Sequence, residues 1–161
     1  MELIHTEIDL ESSPEAAWQT LVDFAAYPEW NPFLKRVEGR ISPGARLKVD
    51  MELPPGRKRT FHPTIVRYTP GEEIRWLGRL FIPGLLDGEH AFMLERFRSD
   101  RVRFFQRQIF RGALVPMVRR RQDEIFAAFT RMNEALKVRV ESQGRARRGG
   151  LPGRSSAVVS S

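Results

Sequence analysis

The spacing of apolar residues changes twice along this chain. In residues 3–11, Ile4, Ile8 and Leu10 fall close to one face of an extended segment, which predicts a strand. From about 35 to 111, apolar and polar residues alternate in short runs. Turn residues cut these runs at Pro43-Gly44, Pro54-Pro55-Gly56, Pro70-Gly71, Pro83-Gly84 with Asp87-Gly88, and Ser99-Asp100. The intervals predict strands near 35–41, 45–53, 58–68, 73–80, 88–97 and 102–111. After Pro116 the spacing becomes three and four. Val118, Ile125, Phe129, Met132 and Leu136 mark the buried face of one helix over 116–140. Between the first strand and the rest, Ser13-Pro14-Glu15 has the chemistry of a helix start: an N-cap hydroxyl, proline at the first helical position and an early acid against the dipole. Trp18, Leu21, Val22 and Ala25 share one face of that helix. Tyr27-Pro28 ends it, and Glu29-Trp30-Asn31-Pro32 leaves room for one further turn.

This order predicts a single α+β domain over residues 1–140. A curved seven-stranded antiparallel sheet in meander order wraps around the long C-terminal helix, with two short helices after the first strand. One amphipathic helix cannot bury its stripe alone, so it must lie across the sheet. Such packing can hold a cavity between the two layers.

Alternation assigns the faces. Phe104, Gln106, Gln108 and Phe110 share one face of their strand, and Arg103, Arg107 and Arg111 make the other face the solvent side. By the same logic His90, Phe92 and Leu94 point inward on 88–97, and Ile74, Trp76, Gly78 and Leu80 on 73–80. The predicted cavity lining is therefore Trp76, Phe92, Leu94, Phe104, Phe110, Phe129 and Met132, with His90, Gln106 and Gln108 as polar exceptions. A buried polar group without a partner costs about 1–3 kcal/mol. These three must meet one another, water, or a carbonyl or hydroxyl of a ligand. Gln122 interrupts the helix stripe between Val118 and Ile125 and faces either the same cavity or its solvated rim. Trp18, Trp30 and Trp76 serve as lining or as core. The connection Phe81-Ile82-Pro83-Gly84-Leu85-Leu86 is apolar for a loop. A lid, a subunit contact and a fold-back onto the sheet all fit it.

Composition narrows the class. The chain has 161 residues, 41% of them hydrophobic and 29% charged, which suits one globular domain. It has no cysteine, so disulfides, zinc-thiolate sites and a cysteine nucleophile are excluded, and a reducing compartment fits. The N-terminus has no basic segment followed by an apolar run, so a cytoplasmic protein without integral membrane association is expected. The net charge of +7 is concentrated at one end: residues 137–161 hold six basic groups against Glu141 alone, and the other residues carry a net of only +2. Residues 141–161 therefore read as a basic, Gly/Ser/Arg-rich disordered tail. Its charge offers weak attraction to anionic surfaces, and no specific nucleic-acid partner is expected.

Ser13-Pro14-Glu15-Ala16-Ala17-Trp18, followed by Tyr27-Pro28-Glu29-Trp30-Asn31-Pro32-Phe33, resembles the N-terminal pattern of the START/Bet v 1-like proteins, the SRPBCC superfamily. Leu77-Gly78-Arg79, Gly88-Glu89-His90-Ala91-Phe92, 106–112 and 132–137 resemble a bacterial branch of it, near the polyketide cyclase/dehydrase and lipid transport proteins. The resemblance spans about residues 1–140. It implies a helix-grip fold and a hydrophobic ligand cavity. The superfamily includes carriers, aromatase/cyclases, oxygenase domains and chaperone activators, so the fold does not choose among them.

Strong catalytic patterns are absent: there is no phosphate-binding glycine loop, no His-Glu-x-x-His and no nucleophile elbow. His5, His62 and His90 are scattered, so no metal site and no cofactor are expected. Arg119-Arg120-Arg121 reads as an exposed helix face paired with Asp123 and Glu124. Two function classes remain in front of a third, a protein-interaction module. One is a monomeric or homodimeric binder of a small hydrophobic molecule. The other is a cyclase or dehydratase using His90 as general acid/base. Proton-transfer catalysis wants a base and a partner that tunes it. The inner wall offers one titratable group without a carboxylate, which favours the binder.

Overall fold

A computed structural model describes residues 1–80 and 82–150 of the chain. The expectations for Phe81, for the Leu80 side chain and for 151–161 lie outside the described residues. The elements run β1 (Glu2–Leu10), α1 (Pro14–Val22), a turn of 3-10 helix (Phe24–Ala26), α2 (Tyr27–Trp30), β2 (Leu34–Glu38), β3 (Lys48–Leu53), β4 (Arg57–Phe61), β5 (Thr64–Thr69), β6 (Glu73–Leu80), β7 (Leu86–Arg98), β8 (Arg101–Arg111), α3 (Val115–Arg119) and α4 (Gln122–Gly149). The fold is the expected α+β arrangement of an antiparallel sheet around a long C-terminal helix. No described helix is long and apolar enough to cross a membrane.

There are eight described strands where seven were expected, in two groups ordered β1-β8-β7-β6-β5 and β2-β3-β4. The predicted strand 58–68 divides at His62-Pro63. Proline has no N–H for the ladder, so pairing stops there. The predicted strand 45–53 divides too. Residues 48–53 pair with β2 and β4, while 44–47 turn to the other group: Leu47 N donates to Pro63 O at 2.8 Å, Ile65 N to Ala45 O at 2.9 Å, and Gly44 N to Ile65 O at 2.7 Å. This crossover joins the two groups and bends them into one concave wall.

The single helix expected over 116–140 is also two. Val115 and Val118 anchor α3, whereas Ala128, Phe129, Met132, Leu136 and Val140 anchor α4. Between them Arg120, Arg121 and Gln122 are exposed, and nothing buried holds that stretch straight. The break also changes the ion pairs. Arg119 pairs with Glu2 at 2.8 Å and Glu124 with Arg57 at 2.5 Å, in place of the expected pairing along one helix. At the far end α4 continues past the predicted limit of 140 to Gly149. Val140 is its last buried residue. Glu141 then accepts from Glu11 N at 3.0 Å, and Gln143 from the Thr20 hydroxyl at 3.4 Å, so the first residues beyond 140 touch the body of the domain.

The N-terminal helix starts as its sequence requires. Ser13 caps α1 by accepting from Ala16 N at 3.2 Å, and Pro14 occupies the first turn. The wholly buried Tyr27 donates its hydroxyl to Leu21 O at 2.6 Å, tying α2 back to α1. These helices close one end of the groove, where Leu10, Ile74, Val102 and Phe104 are fully buried. At the other end, where α4 begins, Leu53, Phe61, Phe110 and Ile125 are only half-buried.

Gly112 fixes how the chain leaves β8. Its φ is +118°, and a Cβ there would lie 2.5 Å from Leu85 O and 2.7 Å from Gly84 O. The loop after β6 folds back onto this point, with Ala113 N donating to Gly84 O and Leu114 N to Leu85 O. Gly71 has a similar φ of +81° but open space around it. Gly71→Ala is expected to cost about 1–2 kcal/mol from backbone strain. Gly112→Ala, which adds the clash, should cost about 3 kcal/mol or more. Denaturant unfolding of the two variants checks the difference.

Candidate functional site

Strand register places the inward residues side by side. His90 is paired with Trp76 on β6 and with Gln108 on β8, and Phe92 with Gln106, which in turn pairs with Thr6 on β1. Of the predicted site residues, Trp76, His90, Phe92, Phe104, Gln106, Gln108, Phe129 and Met132 are buried in the interior, and Leu94 is buried beside Trp18 at the α1 end. Phe110 is half-buried at the open end. Gln122 does not join them, because it is the exposed first residue of α4. Trp18 and Trp76 are core, and Trp30 is partly buried.

The imidazole of His90 lies inside an aromatic shell. Its ring stacks on Trp76 at 5.3 Å, meets Phe92 edge-on at 4.7 Å, and lies 5.0 Å from Phe129 and 6.4 Å from Phe33. Nδ1 is 2.9 Å from Gln108 Oε1. With that oxygen as acceptor, Nδ1 carries the proton and Nε2 is a bare acceptor. Nε2 is buried and, in this tautomer, finds no donor among the described residues, although the Gln106 amide lies near enough to act on the ring. Next to this pair, Gln106 donates to Phe129 O at 3.1 Å and to Asn133 Oδ1 at 2.5 Å, and Asn133 donates to Thr6 Oγ1 at 3.1 Å. This chain ties α4 to β8 and β1. It leaves Gln106 Oε1 buried without a partner as well. Asn133 and Thr6 were missed in the sequence reading. Both lie on the buried face by spacing, Asn133 four residues after Phe129 and three before Leu136, and Thr6 between Ile4 and Ile8, so a polar residue on an inward period was the signal that could have found them.

Burial lowers the His90 pKa from 6.5 to about 4, against smaller opposing effects of the Gln108 and Gln106 amides. At neutral pH the ring is therefore uncharged: it can accept a hydrogen bond or a proton at Nε2, and it is a poor acid. Among the described residues no carboxylate is bonded to the His90 ring. Arg75 binds Glu73 and Glu89 on the solvent side of the sheet, at 2.5 and 3.0 Å. Among the described residues no three His, Asp or Glu side chains gather as a metal site.

The predicted cavity between sheet and helix is not what the interior contains. The aromatic side chains that were to line it fill the space themselves: Trp76, Phe92, Phe104, Phe129 and Met132 each expose 1% or less of their surface. Sequence periodicity gives the direction of a side chain but not how far the opposite layer stands away. Two depressions lie nearby. A pocket of about 120 Å³ between the β3–β4 hairpin and α4 is bounded by Pro32, Phe33, Pro54, Pro55, Ala128 and Arg131. Phe33 borders this pocket and also faces the His90 ring. A groove of about 580 Å³ runs between α1, the β5–β6 turn and β7, over Trp18 and Leu94.

An α+β sheet gripping a long C-terminal helix is the helix-grip arrangement expected from the sequence. The family described as polyketide cyclase / dehydrase and lipid transport matches residues 1–141, and the chain belongs to that family. A search of curated proteins finds no match to the sequence. Among solved structures, a START superfamily protein from Mycobacterium smegmatis aligns with a TM-score of 0.70 at 19% identity, covering 88% of this chain and 98% of its own. The Zhui aromatase/cyclase from a Streptomyces species aligns at 0.71 and 14%, covering 93% and 99%. The di-domain aromatase/cyclase StfQ of the steffimycin biosynthetic pathway aligns at 0.68 and 14%, covering 89% of this chain and 52% of that one. At these identities the likeness is one of fold.

The buried imidazole makes a pH prediction. Above pH 6.5 His90 is neutral in both folded and unfolded chains and stability does not depend on it. As the pH falls from 6.5 toward 4, the unfolded chain takes up a proton that the folded one refuses, so stability is lost over that window. The full loss is ~3 kcal/mol. His90→Gln should track the wild type above pH 6.5 and lose less below it, as read by urea unfolding at each pH. Parallel curves throughout would show that His90 is not the group responsible.

Proposed function

We propose that the protein binds a small hydrophobic molecule, lipid-like or aromatic, between the sheet and α4, with His90 as its polar anchor. The observation that carries this reading is the pair of orphaned acceptors, His90 Nε2 and Gln106 Oε1, buried in an otherwise aromatic interior. An unpaired buried polar atom costs about 1–3 kcal/mol. A ligand hydroxyl would satisfy one of them while its apolar body replaces side-chain contacts. Family membership supports the same reading, since carriers are part of the family's description.

The ligand must occupy space that side chains now fill. Phe33 is the side chain to move, because it borders the pocket at Pro32, Pro54 and Ala128 and faces the His90 ring. Turning it outward joins that pocket to the polar cluster. Phe33→Ala is therefore expected to cost about 3–5 kcal/mol of stability and yet to speed and strengthen uptake of an environment-sensitive apolar dye. Stopped-flow fluorescence reads the rate. A slower or absent dye signal in a variant that still unfolds cooperatively would count against this route.

A second reading is a cyclase or dehydratase. Two of the fold neighbours bear the name aromatase/cyclase, and Gln108 holds Nδ1 so that the Nε2 lone pair is free to take a proton. The absence of a carboxylate against the ring keeps it second. Native purification followed by mass spectrometry identifies the bound molecule. With that molecule, His90→Gln separates the readings. A binder loses about 0.5–1.5 kcal/mol of affinity, the worth of one hydrogen bond. An enzyme keeps its affinity and loses turnover by about 10²–10⁴-fold.

A further inference from the structure

Around α3 the surface combines exposed apolar tips with unpaired arginines. Ile82 is 64% exposed, Met117 61% and Phe126 51%. Backbone bonds hold their segments together. Leu85 N donates to Ile82 O, Leu114 N to Leu85 O, and Met117 N to Leu114 O. Arg121 N then donates to Val118 O, and Ile125 N to Arg121 O, immediately before Phe126. The same segments carry Arg111, Arg120 and Arg121, all exposed and without a carboxylate partner among the described residues. Arg119 is held by Glu2, Glu124 is held by Arg57, and Asp123 is the remaining acid on this stretch. It is also the end of the domain where Phe110 and Ile125 are half-buried and the groove is least closed.

We propose that this end of the domain docks on a membrane surface rich in acidic lipids, with Ile82, Met117 and Phe126 entering the acyl boundary and Arg111, Arg120 and Arg121 meeting phosphate headgroups. Separate apolar tips with cations between them suit an interface that is apolar at one depth and anionic just above it. A protein partner would instead favour a continuous apolar patch with few charges at its centre. Aliphatic tips such as Ile82 and Met117 offer no flat face on which bases of a nucleic acid stack. The docking rests on the carrier reading only for its purpose: it would bring the open end of the groove to a source of hydrophobic molecules.

The test is co-sedimentation of the full chain with vesicles of phosphatidylcholine alone and of phosphatidylcholine mixed with phosphatidylglycerol. Binding to the mixed vesicles only, weakening as salt is added, is expected. Each cation near such a surface contributes about fivefold. Arg120→Gln with Arg121→Gln should therefore lower partitioning by roughly 25-fold. Met117→Ser with Phe126→Ser should lower it comparably while leaving salt dependence in place. Arg147→Gln with Arg148→Gln, at the other end of α4, should change it by less than either pair. No vesicle binding overturns the proposal. So does binding lost only in the Arg147/Arg148 variant, which would place the contact at the helix's far end. A dimer in solution that Met117→Ser and Phe126→Ser dissociate, with no vesicle binding, assigns the patch to a second copy and overturns it too. Dye uptake measured without vesicles reports separately on the interior. A protein that takes up no dye but binds acidic vesicles would refute the carrier reading and leave the docking intact.

Discussion

Everything in this domain follows from where α4 can put its apolar stripe. Ala128, Phe129, Met132, Leu136 and Val140 are each 3% exposed or less, and their large members gain roughly 1.5–3 kcal/mol apiece on burial. No other described helix is long enough to cover them. The strands must supply a concave wall, and a flat sheet would leave the flanks of the helix in water. The bend comes from the crossover at 44–47, which leaves one group of strands and pairs with 63–65 of the other. The short helices then close the end the strands leave uncovered, and the Asn133–Thr6 and Asn133–Gln106 hydrogen bonds set the position of α4 along the groove.

Within that interior the polar cluster is a local conflict. His90 has a single proton when neutral, and its Nδ1 uses it on Gln108. Gln106 spends both amide hydrogens on Phe129 O and Asn133, so its oxygen is left over. Leucine or methionine at these positions would bury without any such debt. In this arrangement His90 Nε2 and Gln106 Oε1 are both buried acceptors without a donor among the described residues. The aromatic shell around His90 desolvates the ring and so keeps it neutral.

The two ends of the domain are unlike for the same geometrical reason. Where α1 and α2 cover the groove, inward side chains are wholly buried. Where α4 begins, only a short helix and a folded-back loop are available, and the glycines at 78 and 88 lie paired across the strands there. A Cβ on Gly88 would fall 2.9 Å from Gln108 Nε2, so the lack of a side chain at that position leaves the room in which Gln108 reaches His90. The open end is thus coupled to the polar cluster through a backbone position.

Fold class was legible in the chain because it depends on period. Alternation from 35 to 111, turn residues between the runs and the three-four spacing after 116 fix strands, helix and inward faces. They placed Trp76, His90, Phe92, Phe104, Gln106, Gln108, Phe129 and Met132 on the buried side. Where the reading failed, a single residue or a long-range contact decided. Pro63 split a strand whose alternation ran on past it, and the exposed stretch Arg120-Arg121-Gln122 let two apolar stretches dock as separate helices. Gln122 fell outside the buried face once that break shifted the helix start. The hydrogen-bond chain through Thr6, Gln106 and Asn133 joins residues up to 127 positions apart. Whether inward residues enclose a space or fill it depends on the distance between two layers, which is set by all their side chains together. No periodicity along one strand contains that distance, so it was for the tertiary structure to decide.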